Sequence, residues 1–173
     1  AALSWGLAEY FTRIKRFALP SIVLLLTFVG GVFAACVYAA GGTTLTPLAA
    51  NAPPTGVILA ALITTGAAWL HWRRFHVPIT VAAGALALTI LVVASTALLT
   101  QGAQGPVLFA TALCGIAVFM LAMAFDSRDR ARVTRRTDVA FWLHLLAAPL
   151  IVHGVFKLTG LSGGGSPTPG AAL

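Results

Sequence analysis

The chain is poor in charge, and poorest in negative charge: 9% of its 173 residues are charged and only four are acidic. Ordinary soluble domains carry roughly 25% charged residues, so a water-exposed surface cannot be assembled from this composition. The four acids, Glu9, Asp126, Asp129 and Asp138, lie outside the long apolar runs or at their ends. Ion and proton paths across membranes usually show themselves as carboxylates or cations at membrane depth, so this placement weighs against a transporter. Cysteine is scarce too. Cys36 and Cys114 each fall inside an apolar run, where a thiol packs as a small hydrophobe, and neither their number nor their spacing suits a disulfide framework or a zinc site. No internal repeat is visible, and five spans leave no inverted pair of the kind that marks many secondary transporters. No signal peptide is read either, because the first apolar run is too long and follows a different kind of segment. The chain begins Ala-Ala rather than Met, so processing or an upstream region is expected.

What the chain does have is hydrophobic residues, 59% of the total. They gather in five runs: residues 20–40, 55–72, 78–99, 106–125 and 139–159. Each approaches the roughly 20 helical residues, at 1.5 Å apiece, that cross a hydrocarbon core of about 30 Å. The expected fold is all-α, a polytopic membrane bundle of five transmembrane helices over residues 20–159. Three runs start with a proline, tolerated where the missing amide would have no partner anyway. In WLHWRRFH, Trp69, His71 and Trp72 suit an aromatic belt closing the second span on Arg73 and Arg74, with His71 and His76 at the interface. Loops of about fourteen residues or fewer make successive helices antiparallel neighbours.

Residues 1–19 precede the bundle and read as an amphipathic interfacial helix. Leu3, Leu7, Tyr10, Phe11, Ile14 and Phe17 recur at three- and four-residue spacing, while Glu9, Thr12, Arg13, Lys15 and Arg16 fall largely elsewhere on the wheel. The apolar stripe is expected at the acyl boundary along the membrane surface, Trp5 and Tyr10 at headgroup level, and the three cations against anionic lipid. The opposite end of the chain, residues 160–173, is a Gly/Ser/Pro-rich tail, disordered when free and expected to be held by a partner subunit.

The basic loop Asp126–Asp138 sets the orientation. Arg128, Arg130, Arg132, Arg135 and Arg136 lie there, and with Arg13, Lys15, Arg16, Arg73 and Arg74 they place ten of the eleven cations on one side of the membrane. The positive-inside rule makes that side cytoplasmic, with the N-terminus inside and the C-terminus outside a bacterial-type inner membrane. These cations are read as contacts for anionic lipid or an acidic protein partner, not for nucleic acid. Thr137 or Asp138 is expected to cap the fifth span.

Small residues supply close packing in lipid, and Gly56, Ala60, Thr64 and Ala68 form such a stripe on the second span, with Gly30, Gly31, Ala34 and Ala35 a local equivalent on the first. Chemistry is thinner. Histidines 71, 144 and 153 are the ionisable groups within the spans beside Lys157 and the cysteines. His144 and His153 are nine residues apart and point to opposite sides of an ideal helix, with Pro149 between them able to soften this. Only His71 with His144 have matching depth for a bis-histidine haem, and no cofactor or metal is expected. Gly160-Leu161-Ser162-Gly163 resembles the nucleophile motif of rhomboid intramembrane proteases over four residues. There the serine begins a buried helix; here Gly-Gly-Gly-Ser-Pro follows it and cannot form one. The expected role is therefore a non-catalytic accessory or scaffolding subunit of a larger membrane complex, rather than an enzyme. The alternative is a small redox (haem-binding) or transport component using His71, His144 or His153.

Overall fold

A computed structural model describes residues 1–14, 17–41, 53–129 and 134–160. Among these the secondary structure is helical: α1 (Ala2–Ala8) continues into a π-helical segment, Glu9–Ile14, followed by α2 (Ala18–Ala39), α3 (Pro54–Phe75), α4 (Ile79–Leu99), α5 (Gln104–Ser127) and α6 (Arg135–Leu158). The last five are long and apolar enough to cross a membrane. Lys15, Arg16, Arg130, Arg132 and the tail beyond Gly160 lie outside the described residues, as does the side chain of Arg13.

The helix ends differ from the apolar runs in two informative places. α3 does not stop at Trp72 but carries Arg73 and Arg74 in its last turn and ends at His76, which is left-handed at φ 52° and donates its amide to the Trp72 carbonyl over 3.0 Å. Cations suit the negative end of a helix, and long arginine side chains reach out of the apolar layer while their backbone stays within it. α6 likewise starts earlier than its apolar run. Arg135 and Arg136 occupy its first turn, and Thr134, not Thr137 or Asp138, is its cap, accepting the Arg136 amide at 3.2 Å. The expected caps have other places: Asp138 is exposed in the first turn, and the Thr137 hydroxyl donates to Asp129 over 3.1 Å.

Asp129 organises that corner. It is only 7% exposed, and its Oδ2 accepts from the Thr134 amide at 2.9 Å and from the hydroxyls of Thr134 and Thr137. A buried carboxylate is tolerable when donors surround it, and these tie the end of α5 to the start of α6. The opposite turn, between α4 and α5, closes through backbone amides, with the Thr100 hydroxyl donating to the Thr96 carbonyl over 2.7 Å. Gln101 and Gly102 are both left-handed, and their amides reach back to the carbonyls of Leu98 and Ala97, the paired bonds of a Schellman ending.

Each span packs on its successor, as short connections require, and α4 also meets α6 and, more lightly, α2. The α3 stripe is buried as the sequence suggests: Gly56, Ala60, Thr64 and Ala68 face inward. A Cβ at Gly56 would lie 2.6 Å from the Ala40 Cβ. Between α5 and α6 it is backbone that is approached this closely. A Cβ at Gly115 would sit 2.8 Å from the Ile151 amide nitrogen, and one at Gly154 2.9 Å from that of Ala112. The patch on α2 is not used in this way. Gly30 and Ala35 are exposed, a Cβ on Gly30 would meet nothing within 4 Å, and Gly31 faces Ala1 instead of another span.

Of the N-terminal segment, residues 2–8 are α-helical and 9–14 π-helical, and Leu3, Leu7 and Tyr10 are exposed. Its direction is set by α2. Ala1 lies by Gly31, Trp5 stacks on Phe28 with centroids 5.2 Å apart, and the Thr12 hydroxyl donates to that of Ser21 over 2.9 Å. One index falls as the other rises, so the segment runs antiparallel alongside α2 instead of crossing it. Trp5 is accordingly turned into the protein, not toward headgroups. Its ring meets Phe75 at 5.1 Å and His71 at 5.9 Å. Near the other end Glu9 takes both Nε and Nη2 of Arg74, at 2.8 and 3.3 Å.

Candidate functional site at the arginine-bearing end

Four segments far apart in sequence converge where α2 begins, α3 turns into α4, and α6 begins. They line an open cavity of about 670 Å³, within the roughly 300–1,000 Å³ common for small-molecule sites. Its construction follows from helical spacing. Arg135, Asp138 and Trp142 are three and four residues apart and share one face of α6. The left-handed ending at His76 and the short connection through Val77 and Pro78 bring that turn to the same wall, and the hydroxyl pair Thr12–Ser21 closes the side nearest α1.

Polar and apolar lining are distributed unequally. Arg135, Asp138 and His76 are exposed, whereas Phe75, Val77 and Ile79 are buried and Trp142 is half-buried. The cavity thus has a charged mouth and an apolar interior. Arg135 and Asp138 form no ion pair with each other, although both line it. Ser21 is buried and donates to the Phe17 carbonyl one turn earlier, so its oxygen serves the local helix as well as Thr12.

The basic residues singled out by sequence do not act as one cluster. Arg135 lines the cavity; Arg136 and Arg128 are exposed and do not. Arg73 lies over the Trp69 ring, 4.9 Å from its centroid, an interfacial cation–π contact of the kind expected of an aromatic belt. Trp72 instead packs inward against the α4–α6 core.

The histidines are also separated. His71 is turned into the protein: it is 1% exposed and set among Trp5, Phe28 and Phe75, the last with centroids 4.5 Å away. Its Nδ1 lies 3.5 Å from the Thr80 hydroxyl of α4, and its Nε2 has no hydrogen-bond partner. His144 is half-buried and packs against Phe119 of α5, centroids 5.3 Å apart, and His153 is exposed. His71 and His144 therefore serve different helix contacts and are not brought to a common site. Among the described residues no group of three or more His, Cys, Asp and Glu side chains is placed to hold a metal ion.

Sequence reasoning missed the cavity and Asp129. The first is assembled from Thr12, Ser21, His76 and Arg135, whose proximity no local pattern encodes. The second had a usable signal, because an acid followed by threonines five and eight positions later can be ringed by its own loop. In comparison with known proteins, no family model matches the chain, nor does any curated protein or solved structure.

Proposed function

We propose that the chain is a non-catalytic accessory or scaffolding subunit of a larger assembly in a bacterial-type inner membrane. The supporting observation is the unpartnered small face of α2. Gly30 is exposed and Ala34, one turn on, is half-buried, and Thr27 and Tyr38 continue that face in either direction. Helices in lipid gain little from apolar burial against one another and associate through close backbone approach at small residues. The same residue types are enclosed in α3, α5 and α6, so the α2 face is the part of this chain suited to a helix from another subunit. The buried hydroxyls of Ser21 and Thr89 are turned to carbonyls of their own helices, which is structural use rather than chemistry.

Replacing Gly30 with leucine tests the reading. The chain should remain folded while subunits that co-purify in mild detergent are lost. A wild-type chain that runs alone after crosslinking in native membranes removes the proposal. A redox or transport role through His71, His144 or His153 has less support, because His71 is walled in by rings and His144 belongs to a different helix contact.

The orientation belongs to the same proposal. Arg73, Arg74, Arg128, Arg135 and Arg136 stand at one end of the bundle and Lys157 at the other, which by the positive-inside rule puts the cavity on the cytoplasmic side and the end of α6 outside. Single cysteines at Ser127 and Gln101, with Cys36 and Cys114 replaced by alanine, should be protected and modified respectively by an impermeant reagent in intact cells. The reverse pattern inverts the assignment.

A further inference from the structure

The cavity at the arginine-bearing end combines features that sort ligands by headgroup. We propose that it binds the headgroup of an aminophospholipid, with the phosphate at Arg135 and the ammonium at Asp138. Arg135 and Asp138 both line the cavity without pairing to each other, so an occupant carrying one charge of each sign satisfies both. A purely anionic headgroup would answer Arg135 and leave its charge facing the Asp138 carboxylate. The two residues are one helical turn apart, about 4.5 Å of rise, which the two-carbon bridge between phosphate and amine can follow. Aspartate accepts hydrogen bonds from a primary ammonium, whereas the quaternary ammonium of choline has no N–H to give.

The remaining walls suit the rest of such a molecule. His76 stands at the mouth with a ring able to hydrogen-bond phosphate or ester oxygens, and Trp142 and Ile22 provide apolar surface beneath. The lipid is drawn from the leaflet into which this end of the bundle opens. Binding here would hold the start of α2, the α3–α4 turn and α6 around one molecule, and it is independent of the accessory role proposed above.

The full chain in nanodiscs of phosphatidylethanolamine, phosphatidylglycerol and phosphatidylcholine in equal parts, released into the gas phase for native mass spectrometry, reads the retained lipid directly. Wild type should retain phosphatidylethanolamine about tenfold over phosphatidylcholine, the scale of one charge-assisted contact. Arg135→Gln should lose retained phospholipid of every headgroup. Asp138→Asn should keep phospholipid and lose the preference for the primary amine. Both residues are exposed, so both variants should fold, and Arg136→Gln, one position away but not lining the cavity, should behave as wild type. Equal retention of the three lipids by wild type, a preference for phosphatidylglycerol that Asp138→Asn leaves unchanged, or Arg135→Gln with the wild-type lipid complement would each overturn the proposal.

Discussion

The α5–α6 pair and helix α2 contain similar small residues and put them to opposite use. In the pair, glycine lets two backbones meet: Gly115 lies against Ile151, and Gly154 against Ala112, each without space for a Cβ. In α2, Gly30 opens on empty surroundings and Gly31 only on the first residue of α1. The difference teaches that a small residue in a membrane helix permits close approach without specifying what approaches. The partner for Gly115 lies within the chain, 36 residues later in sequence; that for Gly30, we propose, lies in another subunit.

The strongest way to break this comparison is to add side chains at both places. Gly154→Val should separate α5 from α6, because even its Cβ would fall within 3.0 Å of three Ala112 atoms, two of them backbone. Overpacking of that kind costs about 3 kcal/mol or more when the obstacle is backbone. Loss of folded, monodisperse protein in detergent is the expected readout. Gly30→Val should leave stability of the isolated chain unchanged within about 0.5 kcal/mol. If both variants unfolded equally, the contrast between the two regions would disappear.

A smaller effect is expected where the same pair is fastened at its end. Asp129→Ala removes the acceptor shared by the Thr134 amide and the Thr134 and Thr137 hydroxyls. Hydrogen bonds to a charged acceptor contribute about 1.5–3 kcal/mol, and the exposed Thr134 can turn to water for part of its loss, so a net loss of about 2 kcal/mol is expected. Proteolysis at the connection between α5 and α6 should accelerate, while cleavage between α4 and α5 should not change. Unaltered cleavage at both would show that the loop is held by something other than Asp129.

At the other region, His71→Phe asks whether the histidine is packing or ligand. Phenylalanine keeps the ring contacts with Trp5, Phe28 and Phe75 and removes an Nε2 that has no hydrogen-bond partner. It also leaves the Thr80 hydroxyl without its long contact, so the change in stability should stay below about 1.5 kcal/mol in either direction. The absorption spectrum of the purified protein should be the same before and after. A Soret band that vanished on His71→Phe would restore the haem-binding alternative.

The sequence disclosed what lipid imposes and little of what neighbours impose. Five apolar runs gave five helices, because run length against bilayer thickness is a local property. The α3 stripe was legible for the same reason, with small residues at every fourth position over four turns. The contact of Gly115 with Ile151 was not, because neither Gly115 nor Gly154 belongs to a small-residue repeat in its own helix, and each is meaningful only beside its partner. Helix ends were misjudged where arginines entered them. A charge ends an apolar run, but Arg73 and Arg135 have side chains long enough to leave lipid while the backbone remains helical. His71 and Trp5 were placed at the interface for their chemistry, and burial followed instead from α1 folding back along α2. The cavity depends on that same folding back, and so lay beyond any reading of single segments.

The smallest predicted effect tests how α1 is held in that position. Glu9 and Arg74 form a two-point ion pair, but their side chains are 32% and 44% exposed, so water and salt screen most of the attraction. Such pairs contribute about 0–1 kcal/mol. The Trp5 ring, by contrast, is set among Phe28, His71 and Phe75, and an aromatic enclosed in this way contributes more through its contacts than a screened pair does. Glu9→Gln should therefore leave α1 docked, with global stability lowered by less than about 1 kcal/mol, whereas Trp5→Ala should release it. The distance between spin labels at Leu3 and Val32 reports this directly. It should stay short in Glu9→Gln at both low and high salt and lengthen in Trp5→Ala. Lengthening in Glu9→Gln, or in the unaltered chain at high salt, would mean that the ion pair holds α1 and that the aromatic contacts merely follow.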